Sequence, residues 1–550
     1  MTEKDMTRLP DLTRTGVGTG ALRSRRPIYQ DSIPPCNDAC PAGENIQAWL
    51  DLAQAGRYED AWQKLIEENP MPAVHGRVCY HPCENSCNRN FTDTSVSIHA
   101  VERFLGDLAL SHGWEPRFTA PAEGRHVLVV GAGPSGLSAA YHLTRLGHQV
   151  EIYEAGDMAG GMINYGIPAY RMPRAELQAE IQRIEKIGVK IHLNRRVEDL
   201  QAEMDAGNFH AAFVAIGAHI SKKVDIPTRD ASRMLDAVSY LSQANSDSPP
   251  LLGRKVSVYG GGNTAMDAAR TARRLGAEEV VVIYRRDRQS MPAHAFEVQE
   301  ALDEGVEIKW LHTISEVGEG DLQIEVMELD EQGQPIPTGR FETLSSDAVI
   351  LAVGQESDTG LLKGIPGISF KRDGTVIVGE DMMTGADGIF AGGDTVPGDR
   401  SVTIATGHGK RAARYIDGYL RGTPFSYPKR HPLVDHTMLH LWYRSAAPQS
   451  EQPYLSSELR TESFDEIVHG LSEPEALFEA RRCLSCGNCF ECDGCFGACP
   501  EKAVVKLGTG QRYLFDYDRC TGCAVCYQQC PCHAIEMIPE PVQQGEAHHG

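Results

Sequence analysis

The sequence predicts a multidomain α/β protein: a helical N-terminal domain, two Rossmann-like nucleotide-binding domains with one inserted in the other, and a small α+β domain towards the C-terminus. Three observations carry that prediction. Two apolar runs, His126–Val130 and the one opening at Lys255, each lead into a glycine turn and then a helical stretch. The cysteines stand in two blocks, from Cys36 to Cys87 and from Cys483 to Cys532, with none between. The second block repeats one spacing twice. A chain of 550 residues has room for roughly three to four such domains.

Charge and composition exclude several classes of function. Lys and Arg number 53 against 75 Asp and Glu, a formal net charge of −22. That argues against nucleic acid or an anionic membrane surface as partner, while leaving local basic patches open. No run approaches the roughly 18 consecutive apolar residues of a membrane span. Arg25-Arg26 is followed by PIYQDSIPPCND where an export signal would be apolar. It therefore reads as a solvated surface pair, and a cytoplasmic location is expected. In a large chain without an export signal, the 16 clustered cysteines point to metal, with a disulfide framework as the competing reading.

Taken in order, Met1 to about Gln30 is polar and aperiodic, an irregular arm. Apolar residues at Ile46, Trp49 and Leu50, then at Ala61, Trp62, Leu65 and Ile66, predict two short helices between Cys36/Cys40 and Cys79/Cys83/Cys87. A third, Val96 to Leu110, carries Glu102. This is the helical domain, 1–120.

The first nucleotide fold spans 121–225 and resumes at 356–425. After the strand His126–Val130, Gly131, Gly133 and Gly136 form G-x-G-x-x-G. The first glycine makes the tight turn, the second lets the backbone approach a pyrophosphate, and the third lets helix and sheet pack closely. The phosphates then face the positive helix N-terminus. Glu154, closing the second strand, is placed to accept from a ribose diol. Gly161 lies in AGGMINYGIPAYRMP, a loop within reach of a flavin, and Ala211–Gly217 is a buried strand. Gly392-Gly393-Asp394 comes after the returning strand, where the acid can bond the ribityl chain of FAD, so Gly393 and Asp394 are assigned to it.

The second fold, 226–355, follows the polar stretch Gln243–Pro250. Gly260, Gly262 and Ala265 give G-x-G-x-x-A, with Asn263 and Thr264 opening the helix. Its next strand ends in Tyr284-Arg285-Arg286 where the first fold ended in Glu154. A carboxylate there holds a 2′-hydroxyl; Arg285 and Arg286 suit a 2′-phosphate, so NADP(H) is favoured over NAD(H). The competing reading leaves one or both arginines merely solvated. Two such folds fit FAD and a nicotinamide. The strand Ala348–Val353 and Gly354 lead back to the first fold, and 426–480 reads as a connecting linker with some helix.

The tail, 481–550, holds Cys489, Cys492, Cys495, Cys499-Pro500 and Cys520, Cys523, Cys526, Cys530-Pro531. Each run is C-x2-C-x2-C-x3-C-P, the bacterial two-cluster pattern in which the fourth cysteine serves the other cluster. Cys489, Cys492, Cys495 and Cys530 are assigned to one [4Fe–4S] cluster, and Cys520, Cys523, Cys526 and Cys499 to the second. A zinc ribbon, the competing reading, does not call for the third cysteine or the proline.

At this point the chain resembles the small (β) subunit of glutamate synthase and its relatives, with a two-cluster ferredoxin fused behind it. CxxxCP at 36–41, GRVC at 76–79, CENSC at 83–87, GAGPSG, YGIP at 165–168, GGGNTAMD, YRR, MPA at 291–293 and AGGD carry the resemblance over nearly the whole chain. The relatives include the NADPH-binding subunit of a ferredoxin-reducing transhydrogenase, the N-terminal half of dihydropyrimidine dehydrogenase and the reductase linked to dissimilatory sulfite reductase. The resemblance implies two [4Fe–4S] clusters in the helical domain, an iron–sulfur domain. The family places an Arg-Cys-x-x-Cys pair before the CxxxCP motif, and no cysteine precedes Cys36 here. Arg482-Cys483-Leu-Ser-Cys486 carries the missing pair. By this resemblance the tail folds back, so that one cluster takes Cys36, Cys87, Cys483 and Cys486. The other takes Cys40, Cys79, Cys83 and a helix carboxylate, Glu102. Four clusters need four ligands each; 15 of the 16 cysteines with Glu102 supply them and leave Cys532. The alternatives are that Cys483 and Cys486 are spare or shift the ferredoxin frame, and that Glu102 is a solvated helix acid.

The expected function is a flavin-dependent iron–sulfur NAD(P)H oxidoreductase. It exchanges electrons between NADPH (or NADH), FAD and four [4Fe–4S] clusters, and passes them to or from a redox partner, with no side chain needed as nucleophile or general acid. Partners in view are a ferredoxin, a 2-oxoacid oxidoreductase, a sulfite-reductase-type enzyme or a glutamate synthase large subunit. A thioredoxin-type reductase is excluded by the absence of a cysteine pair near the flavin. The alternatives are the small subunit of a glutamate synthase complex, and an electron-transfer subunit without its own nicotinamide turnover.

Overall fold

His126–Val130 is the middle strand of a parallel five-stranded sheet, and no residue from Val127 to Val130 is more than 5% exposed. The order is Ile389–Ala391, Ala211–Val214, His126–Val130, Gln149–Tyr153, Lys190–His192, parallel throughout. A strand covered on both faces reads as an unbroken apolar run, which is why these segments do not alternate. The computed structural model describes residues 23–541 except 122–123, 223, 225, 229–232, 245, 247 and 443. Helix Pro134–Arg145 follows the glycine turn and packs on helix Val402–Arg421. Gly409 permits that approach, since a Cβ there would strike the Ser135 carbonyl.

The second parallel sheet runs Glu307–Trp310, Glu279–Tyr284, Lys255–Tyr259, Ala348–Leu351, Arg233–Asp236. All five strands fall between Val214 and Ile389, so one nucleotide fold is inserted in the other. Between its last two sequential strands lies a three-stranded antiparallel sheet, His312–Val317, Asp321–Leu329 and Pro335–Ser345, an addition to the expected nucleotide fold.

A buried ion cluster ties the two nucleotide folds together. Arg171, in the loop after Gly161, reaches Asp267 at 2.8 Å and Glu297 at 2.6 Å, both on the second fold. Removing one partner of a buried pair strands the other charges. Arg171→Ala is therefore expected to cost about 3–5 kcal/mol, seen as a lower thermal midpoint, whereas an exposed pair such as Arg340–Glu328 costs little.

The expected helices form at Ile46–Gln54, Tyr58–Leu65 and Ile98–His112, burying Trp49, Trp62 and Leu105 completely. Asn45 caps the first by accepting from the Ala48 N–H. The connecting segment is fastened to this helical unit. Glu466 lies between Arg77 and Arg103, His99 bonds Gln452, and helix Glu473–Arg482 ends with Arg482 against Asp93 and Thr94.

The arm departs from expectation. Arg25–Tyr29 is a β-strand paired antiparallel with Ile535–Pro539 in the tail. Arg25 donates to the Met537 carbonyl and the Arg26 guanidinium stands 4.8 Å over the Tyr517 ring, so this pair is not a free surface pair. Pro27 is tolerated because the strand lies at an edge. The rest of the arm, 1–22, lies outside the described residues, as does 542–550.

Candidate nucleotide and iron–sulfur sites

At the first glycine turn, Gly131 has φ +102°, and a Cβ there would meet the Ala215 carbonyl oxygen. One on Gly136 would be driven into the Gly131 carbonyl oxygen. Gly133 is different: its only close neighbour is Gly161 Cα at 3.9 Å, so this side of the turn is open. Gly161, at φ +53°, leaves no space for a Cβ against Gly133. Two stretches of bare backbone thus face each other at the helix N-terminus. Glu154 is fixed at the lip by N–H groups of Ala132 and Gly156, each at 2.7 Å. Gly393 abuts Ser135 and Asp394 is half-buried; desolvation raises its carboxyl above the usual range, with Arg400 opposing. The Ser135 hydroxyl and the Asn164 amide nitrogen are buried without hydrogen-bond partners. An open backbone cradle with an orphaned hydroxyl fits the pyrophosphate of a dinucleotide.

The second turn opens on a cavity lined by Gly260, Gly262, Thr264, Arg285, Arg286 and Gly354, among others. Gly260 has φ +148° with the Ala352 carbonyl where a Cβ would be, and nothing lies within 4 Å of the Cβ position of Gly262. Arg285 is exposed, and Arg286 donates to Gln334 at 3.1 Å while its Nε is buried without a partner. Two expected residues are not on this wall. Asn263 donates to the Tyr80 hydroxyl at 2.7 Å and accepts from the His294 N–H at 3.0 Å, bracing the helical unit against the second fold. Ala265 is fully buried, and its size serves helix–sheet packing.

The cysteines gather into four groups, and none is in a disulfide. Cys36, Cys87, Cys483 and Cys486 line one cavity with Leu50 and Ile98. The Cys36 thiol is pushed up by burial and then by those three sulfurs. Arg89 holds the tail pair in place through the Arg482 carbonyl at 2.8 Å, and Asn88 donates to Cys486 Sγ at 3.5 Å. The tail therefore folds back onto the helical unit.

Cys40, Cys79 and Cys83 form the second group, with Glu102 beside them in the interior. Asn69 donates to Glu102 at 2.8 Å and to Glu44 at 3.0 Å. Burial raises both carboxyls, Glu44 to about 7, and Glu44 presses Glu102 further up. Glu44 was missed at the sequence level; it stands three residues after the CxxxCP motif, and an acid that near a ligand motif was the available signal. In the tail, Cys489, Cys492 and Cys495 face Cys530, while Cys499, Cys520, Cys523 and Cys526 line one small cavity with Pro27 and Val504. Cys532 Sγ lies 3.8 Å from Cys530 Sγ. Sets of four soft donors in short loops fit iron–sulfur cubes.

The groups form a file. The Gly407 backbone of helix Val402–Arg421 packs on Pro41, next to Cys40, placing the second group behind the first nucleotide fold. Cys36 lies in the first turn of one short helix, Pro35–Ala39, and Cys40 caps its end. Gly487 joins Cys486 to the tail through its N–H to Cys532 and its carbonyl to Ser32. Among the described residues no helix is long and apolar enough to cross a membrane.

Comparison with known proteins matches residues 124–409 to the pyridine nucleotide-disulphide oxidoreductase family. Residues 24–114 match dihydropyrimidine dehydrogenase domain II, 4Fe-4S cluster, and 513–536 match the 4Fe-4S binding domain. The NADP(+)-dependent formate dehydrogenase subunit beta of Moorella thermoacetica is 36% identical over 506 residues, 82% of this chain and 70% of its own length. The NADPH-Fe(3+) oxidoreductase subunit beta of Geobacter sulfurreducens is 33% identical, covering 82% and 75%. The glutamate synthase [NADPH] small chain of Azospirillum brasilense is 33% identical over 422 residues, 71% and 87%. With its paired nucleotide folds, its cysteine groups and these relatives, the chain belongs to the pyridine nucleotide-disulphide oxidoreductase family as a glutamate synthase small-subunit-like flavin iron–sulfur oxidoreductase with a 4Fe-4S ferredoxin motif in its tail.

Proposed function

We propose that the chain exchanges electrons between NADP(H), at the second nucleotide fold, and a redox partner protein that docks at the tail. The observation that carries this is the file of four cysteine groups running from behind the first nucleotide fold to the tail, where Cys492 and Cys523 are exposed. When bound, FAD exchanges hydride with a nicotinamide and single electrons with iron–sulfur clusters. The chain's own part is to hold and orient. Gly131, Gly133, Gly136 and Gly161 receive the FAD pyrophosphate, Glu154 its ribose, and Gly393 and Asp394 its ribityl side. Gly260, Gly262 and Thr264 receive the nicotinamide dinucleotide, with Arg285 and Arg286 at the 2′-phosphate. The four groups hold [4Fe–4S] clusters as assigned, with Glu102 completing Cys40, Cys79 and Cys83. The relatives are named as a subunit beta or a small chain, which supports a partner subunit here too.

The test is anaerobic addition of NADPH to the purified protein, which bleaches both the flavin and the iron–sulfur absorbance. Arg285→Ala is expected to raise the KM for NADPH tenfold or more and leave that for NADH nearly unchanged, because a charge-assisted bond to phosphate is worth roughly 1.5–3 kcal/mol. Equal effects on the two nucleotides would place the 2′-phosphate elsewhere.

A further inference from the structure

The strand Arg25–Tyr29 ends by delivering a phenol to one cysteine group of the tail. Tyr29 pairs with Ile535, and its ring stacks on Phe515 with centroids 4.9 Å apart and an interplanar angle of 26°. Its hydroxyl stands 3.7 Å from Cys495 Sγ. A cysteine bound to iron carries no hydrogen, so in that contact the phenol is the donor. The duplicated run lacks this arrangement: Cys526, the counterpart of Cys495, receives no side-chain hydrogen bond among the described residues.

We propose that Tyr29 is a positioning residue for the redox potential of the cluster held by Cys489, Cys492, Cys495 and Cys530, and that its hydroxyl makes the two tail clusters unequal by donating to Cys495 Sγ. A hydrogen bond to a ligand sulfur stabilises the reduced, more negative state and so raises the potential. The inference rests on the reading that this tail group holds a [4Fe–4S] cluster, and it gives the N-terminal strand a redox role as well as a structural one.

The test is a potentiometric titration of the anaerobically purified full chain, followed by electron paramagnetic resonance. Tyr29→Phe keeps the ring and its stack and removes only the hydroxyl. One component is expected to become harder to reduce by roughly three- to tenfold in its equilibrium, tenfold being about 59 mV for a one-electron couple, with the remaining components unmoved. Phe515→Leu loosens the stack and keeps the hydroxyl, and is expected to leave that component in place. Full iron with every midpoint unchanged in Tyr29→Phe overturns the proposal, as does an equal shift of the same component in Phe515→Leu, which assigns the effect to packing. An iron content about four atoms per chain short in the unsubstituted protein, without the signal of an interacting pair of tail clusters, overturns instead the reading on which it rests.

Discussion

Replacing Cys483 and Cys486 together with serine is expected to remove one cluster, about four of the roughly sixteen irons per chain that the proposal requires, and to leave the FAD content unchanged. These two thiols share a cavity with Cys36 and Cys87, far from them in sequence and held there by Arg89 and the Arg482 carbonyl. Serine oxygen is a poor substitute for thiolate, and a cube with two of its four ligands gone is not retained. The double variant also separates three outcomes. If the pair were spare, iron would not change. If the pair belonged to the ferredoxin frame, the signals of the tail clusters would vanish and those of the helical unit would stay. Loss of a signal from the helical unit, with the tail pair intact, is the expected result, read by iron analysis and electron paramagnetic resonance.

A comparable loss is expected at the first glycine turn, where the second and third glycines of the motif should fail in different ways. In Gly136→Ala the new methyl is driven into the Gly131 carbonyl, with Val129 Cγ1 at 3.2 Å on the same side. The helix gains about 1 kcal/mol from alanine's propensity. Overpacking against backbone costs about 1–3 kcal/mol or more, and the turn that cradles phosphate must open to relieve it. FAD occupancy falls more than tenfold and the thermal midpoint drops. In Gly133→Ala the methyl meets only Gly161 Cα at 3.9 Å, so the fold tolerates it. The methyl instead occupies the approach to the pyrophosphate, and FAD is lost at nearly unchanged stability. Flavin absorbance and calorimetry on both variants, with iron content as the control, check the distinction. Equal stability loss in the two would refute it.

What was legible in the chain follows from how locally each feature is determined. The glycine turns were readable because the motif spacing is local, although the carbonyls that fill the side-chain places are local only for Gly136; Gly131 and Gly260 are closed off by Ala215 and Ala352, on distant strands. The helices at Ile46–Gln54 and Tyr58–Leu65 were readable because their apolar stripe faces one core. The strand Arg25–Tyr29 was not. RRPIY is short, charged and interrupted by proline, and its pairing energy comes from a partner at the other end of the chain. The linker was recognisable as polar, but its attachment depends on Glu466 and Arg482 finding charges on the helical unit, which no spacing rule encodes. Among the site residues, the partners of the Asn263 side chain were not legible, because a motif position names a backbone environment and leaves the side chain's partner open; Tyr80 and His294 take it. Glu44 was overlooked because a single acid carries no period, and its importance arises only when folding buries it against Glu102.

The pairing of Arg25–Tyr29 with Ile535–Pro539 makes the tail's β-layer a joint product of both ends of the sequence. During synthesis the early strand must wait, unpaired, until the ribosome has released Ile535–Pro539, so the tail's sheet closes only then. A tail excised on its own begins life with an exposed sheet edge and without the Tyr29 ring, and it is expected to aggregate or load iron poorly. Transplanting this electron outlet onto another reductase therefore means moving two distant stretches of sequence together.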